Sequence, residues 1–154
     1  MDLLSLVLAC SPLVDPAMTL RVIAVESAGH TYAIHDNTDG RSYDAANEAQ
    51  AVRFAATLIR SGHRVDLGLM QINYQVWLRP TQFALRSAFD PCTNIRLGTT
   101  ILSANYARAL QRSTTDSALW RALSAYNSGS ESRSLRYAQQ VLGSTPAHPP
   151  HRGF

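Results

Sequence analysis

Apolar residues recur along this chain at helical spacing in a series of stretches, each closed off by a turn-forming or capping residue. The first, LLSLVLA at residues 3–9, predicts a short amphipathic helix that turns Leu3, Leu4, Val7 and Leu8 inward. Ser11-Pro12 ends it, and Asp15-Pro16 opens a second helix with Asp15 as N-cap and Pro16 at the first helical position. Met18, Val22, Ile23 and Val25 form that helix's stripe, and Gly29 stands where it should stop. A third helix is expected from about Ala45 to Ser61, capped by Asp44, with Ala49, Val52, Ala56 and Ile59 inward and Gly62 as its stop. Between these two, HDNTDGRSYD reads as a polar, turn-rich loop. Asp90-Pro91 repeats the cap signature and begins a long helix to about Arg112. Thr115 or Asp116 caps the next, which carries Leu119, Trp120 and Leu123 toward Tyr126, and a last helix runs from Arg133 to Leu142 and stops at Gly143. No β-like run exceeds four residues and no internal repeat is present. The pattern predicts an all-α, nearly wholly helical domain over residues 1–143, followed by a loosely packed Pro-rich tail, 144–154.

Composition narrows this picture without redirecting it. A chain of 154 residues with 45% hydrophobic and 16% charged positions suits one domain with one core. All 14 basic residues are Arg and the net charge is +3, a balance compatible with an anionic polymer. The arginines are scattered along helices without interleaved aromatics, which argues against nucleic acid. The longest apolar run is far short of the roughly 20 residues that span a bilayer, so no membrane insertion is expected. It also lacks a basic n-region, and Asp2 has the wrong sign for one, so an exported protein would have lost its signal peptide before this chain begins. Cys10 and Cys92 have no C-x-x-C or His spacing, so no metal site is expected; a disulfide and two buried thiols both remain open.

Glu26 is the acid in an unusual place. It sits in the apolar run VIAVES at the last turn of a helix, where desolvation and the negative end of the helix dipole both favour the protonated form. A carboxylic acid kept neutral near pH 7 can protonate a glycosidic oxygen. GLMQIN, residues 68–73, places the amides Gln71 and Asn73 beside an apolar pair, and SAYNSG, residues 124–129, ends a helix in Tyr126 and Asn127. Apolar faces mixed with amides and hydroxyls are what a sugar site requires.

VES at 25–27, GLMQIN at 68–73 and AYNSG at 125–129, in that order, resemble the signature motifs of the goose-lysozyme-related lytic transglycosylases, and YAQQV at 137–141 resembles a weaker fourth. VDLGLMQIN followed by DPCTNI is similar to the murein-degrading subunit of type IV secretion and conjugation systems. Ala28, where Gly or Ser is usual, His30, where Asn is common, and a short segment from Gly129 to Tyr137 depart from the pattern. The resemblance implies a lysozyme-like helical domain with a central sugar-binding groove. It also implies cleavage of the N-acetylmuramic acid to N-acetylglucosamine bond of peptidoglycan with a 1,6-anhydro product, without cofactor or metal. Glu26 would be general acid and then general base. Ser27 would orient the neighbouring loop or a sugar group, Leu69 and Met70 would form an apolar wall, and Gln71 would bind the saccharide. Tyr126 would lie near Glu26, Asn127 would hold its motif together, Tyr137 would line the floor, and Asn73 would secure the loop.

A substrate outside the cytoplasm implies a periplasmic protein, with secretion-system subunits as further partners, and makes Cys10 to Cys92 a disulfide. Two alternatives stand. A lysozyme-type hydrolase would need a second carboxylate, for which Asp36, Asp39, Asp44 and Asp66 are available, and a non-catalytic peptidoglycan-binding scaffold would not need Glu26.

Overall fold

In the computed structural model, which describes residues 2–144, the helix punctuation organises the chain as expected while one polar stretch does not. The elements in order are α1 (Leu3–Cys10), α2 (Pro16–Ser27), β1 (Ala33–Asp36), β2 (Arg41–Asp44), α3 (Glu48–Arg60), β3 (Val65–Leu67) and β4 (Ile72–Asn73). A π-helical turn (Tyr74–Leu78) and a 3-10 turn (Leu85–Phe89) lead into α4 (Pro91–Leu110), α5 (Thr115–Ser128) and α6 (Leu135–Gly143). Apart from Ser144, the expected tail falls outside the described residues.

Asp15 and Asp90 act as the expected N-caps: Asp15 accepts from the amides of Ala17 and Met18, and Asp90 from that of Thr93. Cys10 and Cys92 are bonded, tying the end of α1 to the first turn of α4 across 82 residues of chain. That bond selects the face α1 buries. Leu3, Val7 and Cys10 point inward, whereas Leu4 and Leu8 are 49% and 62% exposed, so the expected inward set is corrected by half. The third helix also starts later than expected. Asn47, not Asp44, is its cap, because Asn47 accepts from the Gln50 amide at 2.9 Å while the Gln50 side chain accepts from the Ala46 amide at 2.7 Å. Ala51 and Ala55 form its buried face in place of Ala49 and Ala56. Thr114 stands at the N-cap of α5 instead of Thr115 or Asp116, and Trp120 lies on its exposed side.

The all-helical expectation is corrected by a four-stranded antiparallel sheet in the order β2-β1-β3-β4. HDNTDGRSYD is its leading hairpin. Asp36 Oδ1 accepts from the amides of Thr38 and Asp39, the Gly40 amide returns to the Asp36 carbonyl at 2.8 Å, and Gly40 adopts φ 67° to close the turn. The strands are two to four residues long and mostly polar on one face, so they leave no alternating apolar signature. Ile34, Leu67 and Ile72 are paired across neighbouring strands and enter the core, while His35, Asp66 and Asn73 are paired in register on the other face. α4 runs through the core, burying Asn94, Ile95, Gly98, Thr99, Leu102 and Asn105.

Candidate active site

The GLMQIN segment links β3 to β4 as a tight turn. Gly68 adopts φ 77°, and a Cβ there would collide with the Asn94 side chain and the Ala88 carbonyl, so only glycine fits. Asn94, fully buried on α4, holds the turn from beneath: its Oδ1 accepts from the Met70 amide at 2.8 Å, and its Nδ2 donates to the carbonyls of Leu67 and Ala88. Leu69 and Met70 are fully buried, with Met70 packed against Gly98 of α4. Their side chains therefore sit behind the site and outside the lining of its cavities.

Gln71 is the residue of this turn that faces outward. It holds φ 48°, an uncommon conformation for a residue with a side chain, and its Nε2 donates to the carbonyls of Gly68 at 2.8 Å and Ala33 at 3.3 Å. With both amide protons engaged, Oε1 is left to meet an incoming group.

Ser27 fastens the end of α2 to the same turn, donating to the Leu69 carbonyl at 2.8 Å and accepting from the Gly29 amide at 3.3 Å. Tyr126, on α5, donates to the Met70 carbonyl at 2.8 Å. Three chain-distant elements thus converge on one loop, and Glu26 lies among them. Tyr137, buried on α6, donates to Glu26 Oε1 at 2.5 Å. Burial pushes the Glu26 carboxyl up to about 8; the Tyr137 hydroxyl opposes that shift and the nearby Asp66 charge adds to it. Burial likewise raises the Tyr126 and Tyr137 phenols well above their ordinary value, so both stay protonated donors.

Glu26 and Gln71 line two cavities at once. One, of about 480 Å³, also exposes Asp66, Asn37, Asn73, Arg64, Arg108, Trp77, Tyr126 and Asn127. The other, of about 350 Å³, is walled by Ser27, His30, Ile34, Tyr43 and Asp44. Asp66 is a second carboxylate beside the acid. Its two oxygens accept from Asn73 Nδ2 at 2.6 Å and Asn37 Nδ2 at 2.9 Å, and burial raises it above the usual carboxylate range.

A family model described as the transglycosylase SLT domain matches residues 5–142. The chain belongs to the transglycosylase SLT family. Among curated proteins, protein virB1 of Agrobacterium fabrum is 34% identical over 124 residues, covering 78% of this chain and 49% of that protein. Type IV secretion system protein virB1 of Brucella abortus is 30% identical over 145 residues, covering 88% and 60%. The chain thus spans about half the length of the first relatives it matches. No solved structure matches it.

Within this SLT domain, Glu26, Ser27, Gln71, Tyr126 and Asn127 line the cavities, Tyr137 supports Glu26 from behind, and Leu69 and Met70 are core. Asn94 is absent from the expected site residues, although its spacing to Ile95, Gly98 and Thr99 on one helix face marks it as an amide among inward positions. Asn37 is absent from them too. The fold further gathers Asp36, Asp39 and His63, which linear spacing does not foreshadow. Asp36 in that group is fully engaged, accepting from His63 Nδ1 at 2.7 Å and from two turn amides, so it acts as a latch between the β1–β2 turn and the loop after α3.

Proposed function

We propose that this chain is a peptidoglycan lytic transglycosylase that cleaves the N-acetylmuramic acid to N-acetylglucosamine bond and leaves a 1,6-anhydro muramoyl end. The single observation that carries the reading is a carboxyl raised to about 8 at the junction of two cavities, with one oxygen held by Tyr137. The two cavities together form a groove, and a glycan strand crosses it with its scissile bond at Glu26.

Tyr137 occupies Oε1, which leaves Oε2 to carry the acid proton toward the substrate. That proton passes to the glycosidic oxygen as the C1–O bond breaks. The resulting carboxylate is basic enough to take the proton from the C6 hydroxyl, whose oxygen then bonds to C1. Because nucleophile and electrophile share one ring, effective molarity supplies what an activated water otherwise would. The substrate's N-acetyl group stabilises the positive charge at C1. Gln71 Oε1 and Asn127 orient the sugars, and no cofactor takes part.

The names of the curated relatives support a place in a type IV secretion or conjugation apparatus, where local opening of murein would be the task, with other subunits as partners. A periplasmic site follows from that substrate and accords with the Cys10–Cys92 bond. No helix among the described residues is long and apolar enough to cross a membrane.

Asp66 favours one second reading. A carboxylate lining the same cavity as Glu26 could direct a water to C1, making the enzyme a lysozyme-type hydrolase. Mass spectrometry of digested murein separates the two: anhydro ends are expected, and products one water heavier would replace the transglycosylase by the hydrolase. Glu26→Gln should slow murein clearance by about 10³-fold. Clearance at the parental rate by that variant would refute the mechanism, and no clearance by either protein would favour a binding scaffold.

A further inference from the structure

Of the described residues that line the larger cavity, Glu26 and Asp66 carry its carboxyl groups. Asp66, on β3, is held from two sides. On one side Asn73, its partner in the β3–β4 register, donates from Nδ2 to Asp66 Oδ1 at 2.6 Å. A separate contact sets the direction of that amide: Asn73 Oδ1 caps the π-helical turn by accepting from the Val76 amide at 3.0 Å, which leaves Nδ2 to face Asp66. On the other side Asn37, in the β1–β2 turn, donates from Nδ2 to Asp66 Oδ2 at 2.9 Å. That turn is docked on the segment before β3, because the Asn37 amide donates to the Arg64 carbonyl at 2.8 Å, the Arg64 amide donates to Thr38 Oγ1 at 3.0 Å, and His63 binds Asp36. Each oxygen of Asp66 thus meets an amide donor, and both asparagines line the cavity with it.

Two donors on two oxygens match an ionised carboxylate, and they favour that form against the burial that opposes it. Arg64 and His35, the latter paired in register with Asp66 on β1, act in the same sense as the amides. A carboxylate held in this way is a weaker base, with its plane fixed toward the two amides. We infer that Asn37 and Asn73 are specificity-determining residues that keep Asp66 out of proton transfer, so that C1 is closed by the sugar's own C6 hydroxyl instead of by water. This rests on the transglycosylase reading above. The two routes share a first step, in which Glu26 protonates the leaving oxygen as the C1–O bond breaks. They part at the second. In ring closure O6 bonds to C1 and its proton goes to the Glu26 carboxylate, whereas in hydrolysis a water oxygen bonds to C1 and its proton goes to a second carboxylate on the cavity. With Asp66 engaged by the amides, the ring-bound nucleophile keeps its advantage.

The test reads anhydro against reducing muramoyl ends by mass spectrometry of digested murein, with a pH profile beside it. Asn37→Ala with Asn73→Ser removes both amides from Asp66, while the serine hydroxyl can still cap the Val76 amide. Ends one water heavier than the anhydro form should rise at least about tenfold as a fraction of product. Adding Asp66→Asn to that pair should return the product to anhydro ends, which a general loosening of the cavity would not do. Asn37→Ala alone leaves the Asn73 cap in place, so it should give a smaller rise and carries the test if the pair fails to fold. In the parent background, Asp66→Asn should move the alkaline limb of kcat/KM to lower pH, because the Asp66 charge raises the Glu26 carboxyl while Tyr126 and Tyr137, facing it from α5 and α6, stay protonated. An unmoved limb would show Asp66 uncharged at working pH and overturn the inference. Anhydro ends alone from parent and asparagine variants would overturn it too and leave the proposed activity standing, and heavier ends that persist in the triple variant would assign water activation to another group. Heavier ends from the parent itself would instead overturn the transglycosylase reading.

Discussion

Glu26 concentrates the physics of the site in one side chain. Its carboxyl ionises near 4.5 when unfolded and near 8 in the fold, so over that window the unfolded chain releases a proton the native state keeps. Stability therefore falls as pH rises from about 4.5 to about 8, by an amount on the order of 5 kcal/mol. Glu26→Gln should remove that slope and raise the unfolding midpoint at pH 8, as followed by circular dichroism, while losing activity. For the wild type, kcat/KM on murein should drop above about pH 8, where the acid deprotonates. Tyr137→Phe deletes the hydrogen bond that lowers the Glu26 value, so the alkaline limb of its pH profile should move upward while kcat falls. A pH profile that stayed in place would count against the Tyr137 assignment. The apolar neighbours of Glu26 made it legible in the sequence, since they adjoin it along the helix. Its hydrogen-bond partner was not legible, because Tyr137 stands 111 residues away and no local pattern couples them.

At the scale of elements, the GLMQIN turn depends on an α4 amide that lines neither cavity. Asn94→Ala would strip partners from the Met70 amide and from the Leu67 and Ala88 carbonyls, all buried. A loss of about 3 kcal/mol is expected by denaturant unfolding, with activity reduced beyond what the lost stability explains. Gly68→Ala should be at least as damaging, because the new methyl group meets Asn94 and the Ala88 backbone at a positive φ. Helix starts were readable wherever Asp-Pro supplied cap and first residue together, as at Asp15 and Asp90. The start of α3 was not, because Asp44 and Asn47 are both competent caps and only the reciprocal Gln50 contact decides between them. The strands escaped for another reason. They are short, and one face carries His35, Asp66 and Asn73, the last two lining the larger cavity, instead of apolar residues.

For the molecule as a whole, the Cys10–Cys92 bond closes a loop of 82 residues and restricts the unfolded chain by about 4.5 kcal/mol in the chain-entropy view. Reduction should lower the melting temperature by about 10 °C, measured by calorimetry with and without thiol; an unchanged midpoint would show that α1 is held by packing alone. By itself the sequence determined the helix order, the capping Asp-Pro pairs, the acid at the end of α2, and the motif order that resembles the transglycosylase family. These are written in local spacing, where a residue and its consequence lie within a turn or two. Tertiary structure alone decided that HDNTDGRSYD pairs with β3, that Leu69 and Met70 face the core while Gln71 faces the cavity, and that Asp66, Arg64 and Arg108 line the same cavity as Glu26. Each of these depends on contacts between residues remote in the chain, whose burial and charge environment do not exist until the chain folds.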